Sequence, residues 1–122
     1  MKGKTELLDD MELLRRVYAL FNGRDLENAL AAMHPDVVWA NGMEGGHVCG
    51  RDEVRSYWKR QWAVIDPHVE PVEISPRSEG EVVVKVHQVV RDPQGNLLAD
   101  RMVMHVFQIQ NGLIQRFDIR EV

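Results

Sequence analysis

From Val69 onward the chain is written almost entirely in strand-forming residues, interrupted by short turn signals. The runs are VEPVEISP from Val69, EVVVKVHQVVRD from Glu81, LLADRMVMHVFQIQ from Leu97, and LIQRFDIREV after Gly112. The breaks DPQGN and QNG each end their loop on a glycine, which suits a three-residue hairpin turn finishing in the left-handed region. Connections this short make the second half a meander, so any helices must come from the first half.

They do. Met11, Leu14, Tyr18 and Phe21, with Leu13, Val17 and Leu20 beside them, recur at helical spacing over Asp9 to Phe21. NGRD at 22 to 25 stops that helix and offers Asp25 as the N-cap of a second, whose stripe Leu26, Ala29, Leu30 and Met33 is broken by His34-Pro35. DVVWAN reads as a strand, and GMEGGHVCG as an irregular connection. From Arg51, the spacing of Val54, Tyr57, Trp58 and Trp62 predicts a third helix ending by Asp66-Pro67.

The final hairpin sets the candidate chemistry. If Gln110, Asn111 and Gly112 form the loop, Ile109 pairs with Leu113, Phe107 with Gln115, His105 with Phe117 and Val103 with Ile119. His105 then lies in an apolar face. A two-residue Asn-Gly turn would instead set His105 opposite Asp118. The first register is preferred. On the strand's other side, Met102, Met104, Val106 and Gln108 are too apolar to be left in water, which predicts a homodimer through that sheet face.

The 122 residues suit one domain spanning 1 to 122, and the net charge of −4 argues against a grip on nucleic acid. No stretch is apolar for the ~18 residues a membrane span needs. MKGKTELLDD lacks the apolar run of a secretory signal, so a cytoplasmic location is expected. The lone Cys49 can make neither an internal disulfide nor a multi-thiolate zinc site, and is expected as a buried, inert thiol. Neither a nucleophile elbow nor a phosphate loop is present, so hydrolase triads and nucleotide cofactors are disfavoured; no cofactor and no metal is expected.

His105 leads the candidates, because an imidazole can act as base, acid or hydrogen-bond donor. A neutral histidine satisfied inside the core is the competing reading. His47, in the glycine-rich bend, could reach a pocket mouth. His87 joins the set if its strand contains an irregularity, which the inward Lys85 of a regular register would require. Trp39, Trp58 and Trp62 could line an apolar pocket with Met43, Tyr18, Val103, Phe107, Phe117 and Ile119.

LFNGRDLENALAAMHPDVVW, GRDEVRSYWKRQW and HVFQIQNGLIQRFDI occur in the order and spacing of the nuclear transport factor 2-like superfamily. Residues 8 to 120 most resemble its SnoaL-like and ketosteroid isomerase-like branch. The resemblance implies a cone-shaped α+β barrel, with three N-terminal helices packed on a curved, mainly antiparallel sheet around a deep pocket, usually in a homodimer. The branch's catalytic carboxylate falls at Asn41 and its oxyanion-stabilising acid at His105. Its first-helix tyrosine falls at Val17, with Tyr18 one residue away and facing elsewhere. The steroid isomerase set is therefore absent.

Two functions follow. One is an isomerase, cyclase or dehydratase acting on a hydrophobic carbonyl compound, with His105 as acid, base or donor and Asn41 and Tyr18 assisting. The other is a non-catalytic module that binds a hydrophobic ligand or assembles as a dimer.

Overall fold

The computed structural model describes residues 3–77 and 79–122. Among them are helices α1 (Lys4–Asn22), α2 (Leu26–Ala31) and α3 (Gly50–Val64), and strands β1 (Met33–Ala40), β2 (His47–Cys49), β3 (Asp66–Pro76), β4 (Glu81–Arg91), β5 (Leu97–Gln110) and β6 (Leu113–Glu121). The strands form a sheet in the order β2-β1-β6-β5-β4-β3.

α1 buries Leu13, Leu14, Val17 and Tyr18 on one face, as its spacing predicts. Its end differs from expectation, because Gly23 keeps helical angles and Arg24 adopts the left-handed conformation at φ 60°. Asp25 N then donates to Leu20 O at 2.9 Å and Arg24 N to Phe21 O at 3.0 Å, which satisfies the last carbonyls of the helix. The Arg24 side chain compensates for that backbone strain. It donates to Pro67 O at 2.8 Å, pairs with Asp66 and lies over Phe21 and Trp62, tying the α1–α2 corner to β3. Asp25 makes no capping bond with its side chain, and Met33 belongs to β1 rather than to α2.

β3 to β6 form the expected antiparallel meander. β1 adds to β6 in parallel, and the glycine-rich connection contains β2, which pairs Val38 with Cys49 and Ala40 with His47. The barrel expectation needs correcting, because the sheet is open, with β2 and β3 as edges, while α3 follows β1 and the glycine-rich stretch as its spacing predicts.

Two bulges decide which residues face the helices. In the last hairpin Gln110 pairs with Leu113, so the turn is the two-residue Asn111-Gly112 form, with φ of 53° and 77°. The ladder then slips by one at Gln115: Ile109 meets Ile114, but Gln108 meets Arg116, Phe107 meets Phe117 and His105 meets Ile119. Without that extra residue Arg116 and Asp118 would face inward. The preferred register was therefore wrong in its turn and its partners, yet right that His105 shares a face with Phe107 and Phe117.

A second slip separates Arg91–Leu97 from Val90–Ala99. It sets Val82, Val84 and Val86 opposite Phe107, His105 and Val103, within one core that includes Trp58, Leu14 and Ile114. Lys85 and His87 pair with Met104 and Met102, which puts them on the outer face. No helix among the described residues is long and apolar enough to cross a membrane.

Candidate functional site

A cavity of about 500 Å³ lies between α1, α3 and the covered face of the sheet. Its floor is made of buried side chains, among them Val17, Trp58, Val69 and Phe107, and its mouth of the exposed Gly42, Met43, Gly46, Ile119 and Arg101. The size suits a multi-ring organic molecule.

His105 is buried at this floor. α1 supplies its partner: the Tyr18 hydroxyl lies 2.7 Å from His105 Nδ1, with the two rings stacked 5.8 Å apart and 9° from parallel. Tyr18 therefore points at the site, contrary to the expectation that it faces elsewhere. A helix advances 100° per residue, and the stripe that carries Val17 is wide enough to bury Tyr18 as well. Phe117 meets the imidazole edge at 4.7 Å.

Burial fixes the protonation of this pair. It pushes the His105 pKa down to about 3, and it raises that of Tyr18 well above the usual phenol value. At neutral pH both groups are uncharged. The direction of their hydrogen bond follows the imidazole tautomer: with the hydroxyl donating to Nδ1, the ring proton sits on Nε2. Nε2 has no protein partner among the described residues, and His105 borders the cavity. In that tautomer the arrangement presents a neutral N–H donor at the end of an apolar pocket.

Trp39, Trp58, Val103, Phe107, Phe117 and Ile119 border the cavity, as do Met43, Asn41 and His47. Two predicted members do not. His87 lies on the outer face and bonds Asp100 at 2.6 Å, because the β4–β5 slip preserves the alternation that buries its valine neighbours. Trp62 packs behind the lining, against Phe21 at 5.4 Å and Trp58 at 5.6 Å.

Asn41 lines the cavity, but its amide serves its own loop. Oδ1 accepts from Met43 N at 3.1 Å and Glu44 N at 2.8 Å, and Nδ2 donates to Glu44 Oε1 at 3.2 Å. Across from it, the Tyr57 hydroxyl accepts from Gly42 N at 3.0 Å. Together they shape the mouth.

His47 sits at the rim with its side chain on the outer side of β2, where Nε2 bonds Asp118 Oδ1 at 2.8 Å. Asp118 also accepts from Arg116 Nε at 2.8 Å, and that bond is the main reason its carboxyl is held below the usual range. Cys49 is exposed on the same edge strand, correcting the buried thiol expected for it. Among the described residues no three His, Cys, Asp or Glu side chains converge to hold a metal.

Sequence reading missed Tyr57, Gln61, Gln88 and Arg101, all of which border the cavity. Tyr57 was legible as a buried helix position. Arg101 shares the parity of Val103 and His105 on β5, and that alternation is the signal that could have found it.

The neutral imidazole makes stability depend on pH. Between about 6.5 and about 3 the unfolded chain binds a proton at His105 that the folded chain does not, so stability falls as pH drops through this window. The slope attributable to one such group approaches 1.4 kcal/mol per pH unit. Urea unfolding of the native chain and His105→Gln at pH 7, 6 and 5 is expected to show this extra loss in the native chain alone. Parallel pH profiles would contradict a buried neutral imidazole.

The family model of the SnoaL-like domain matches residues 14–117. A nuclear transport factor 2-like protein of unknown function from Burkholderia pseudomallei is 30% identical, covers 93% of this chain and 91% of its own, and superposes with a TM-score of 0.82. TerC, co-crystallised with polyporic acid, is 26% identical over 93% of this chain and 92% of its own, with a TM-score of 0.81. A Mycobacterium tuberculosis protein, RV0760c, in complex with estradiol-17β-hemisuccinate shares the fold at 18% identity, 89% and 90% coverage and a TM-score of 0.77. No curated protein matches the sequence significantly. Helix–sheet architecture, an internal pocket and these matches together make the chain a member of the SnoaL-like family, within the nuclear transport factor 2-like superfamily.

Proposed function

We propose that this protein binds an apolar carbonyl compound in its cavity and polarises the carbonyl oxygen through the Nε2–H of His105, as an isomerase or cyclase does. The observation that carries this reading is the 2.7 Å Tyr18–His105 bond at the pocket floor. A neutral imidazole is an effective electrophile toward a carbonyl, because it donates a hydrogen bond without the cost of burying a cation. Trp39, Trp58 and Phe107 supply flat apolar walls. The relative co-crystallised with polyporic acid supports a small-molecule occupant.

Binding without turnover is the second reading, and one observation favours it. Among the described residues the cavity border contains a single carboxylate, Asp118, which is engaged by Arg116 and His47 on the outer side. A proton-transfer reaction would have to use the substrate's own groups or water as base.

Titration with 1-tetralone, flavanone and estrone, followed by tryptophan fluorescence, tests the pocket. Saturable quenching by at least one ketone is expected, weakened about tenfold in His105→Gln, the scale of one buried hydrogen bond. No quenching by any of them contradicts the proposal. Exchange of the bound ketone's α-protons in D2O, read by proton NMR, then separates the readings: acceleration by the native chain but not by His105→Gln supports catalysis, and no acceleration supports binding alone.

The same proposal includes a homodimer through the outer face of β5. Met102 and Met104 are partly buried there, while Val106 is already buried within the single chain. Sedimentation velocity should give twice 14.1 kDa for the native protein and a monomer for Met104→Glu. A monomeric native protein contradicts the dimer.

A further inference from the structure

The pocket floor is neutral, but one side of its mouth is cationic. Arg101 stands four residues before His105 on β5 and shares its face, so about 13 Å of strand, carrying the apolar Val103, separates them. Gln88, opposite on β4, holds the side chain over the cavity by accepting from Arg101 Nε at 2.9 Å. Both terminal guanidinium nitrogens remain without a protein partner among the described residues.

Four arginines outside the cavity border are paired, Arg24 with Asp66, Arg55 with Glu27, Arg60 with Glu44 and Arg116 with Asp118. Among the described residues Arg101, like Arg16, Arg51, Arg77, Arg91 and Arg120, has no carboxylate in ion-pair contact, and of these arginines Arg101 is the one that borders the cavity. Asp100, its neighbour, faces outward to His87. Val90, Ala99 and Pro67 surround the guanidinium side of the cavity with apolar surface.

Resting on the pocket reading above, we infer that Arg101 is an anion anchor and that the pocket's occupant is an amphipathic organic acid. Its body spans two or three rings, with a carbonyl at the His105 end and a carboxylate or acidic enol at the Arg101 end. Two parallel N–H groups match the two oxygens of such an anion, and the apolar surround strengthens the contact relative to open water. Gln88 acts as a positioning residue for the guanidinium.

Isothermal titration calorimetry with a matched pair tests this. The probes are 2-hydroxy-3-phenyl-1,4-naphthoquinone, ionised at pH 7.5, and its 2-methyl ether, which is neutral. The native chain is expected to prefer the anion by about tenfold, the scale of one charge-assisted contact. Arg101→Gln should erase that preference, read as the ratio of the two affinities, and raising the salt concentration should narrow it in the native chain. Equal affinity for both probes in the native chain, or a preference that survives Arg101→Gln, overturns the anchor and leaves the pocket standing. If neither probe binds, the pocket reading fails and the anchor falls with it.

Discussion

A single hydrogen bond, between the Tyr18 hydroxyl and His105 Nδ1, connects the first helix to the middle of the sheet and sets the character of the cavity between them. Burial makes charge expensive for both partners, so the pair persists as two neutral groups whose one remaining polar direction is His105 Nε2. Everything proposed about chemistry follows from that direction. Were the imidazole charged, the surrounding Phe107 and Phe117 rings could not replace the water it had lost.

The aromatic surround of the pair depends on an irregularity in the last hairpin. Asn111-Gly112 prescribes a two-residue turn, whereas the apolar pattern of β6 requires the opposite parity two residues later. Gln115 resolves the conflict as a bulge, bringing Phe117 and Ile119 to the covered face and sending Arg116 and Asp118 outward, where they meet His47. One residue thus separates an aromatic cavity floor from a charged outer cluster. The slip between Val90 and Arg91 does comparable work on β4, keeping Val82, Val84 and Val86 inside and His87 out.

These details mark the boundary of what was legible in the sequence. Helical spacing around Leu14 and Trp58 and the strand runs after Val69 identify the major elements, and the motif order identifies the family. The hairpin pattern also puts His105 among apolar neighbours. What stayed hidden depends on pairs distant in the chain. β2 is three residues long inside a glycine-rich stretch and exists because β1 lies beside it. Tyr18 meets His105 across 87 positions, and no local signal announces that contact. His87 and Trp62 were misassigned for the complementary reason: a residue type suited to a pocket says nothing about which side of its element the tertiary packing will cover.

The central claim is the protonation state of His105, and long-range proton–nitrogen NMR correlation of its imidazole measures it directly. The account predicts a neutral ring with the proton on Nε2 throughout pH 5 to 8, and loss of that tautomeric bias in Tyr18→Phe. A ring that titrates near 6.5, or that carries its proton on Nδ1 in the native protein, would contradict it.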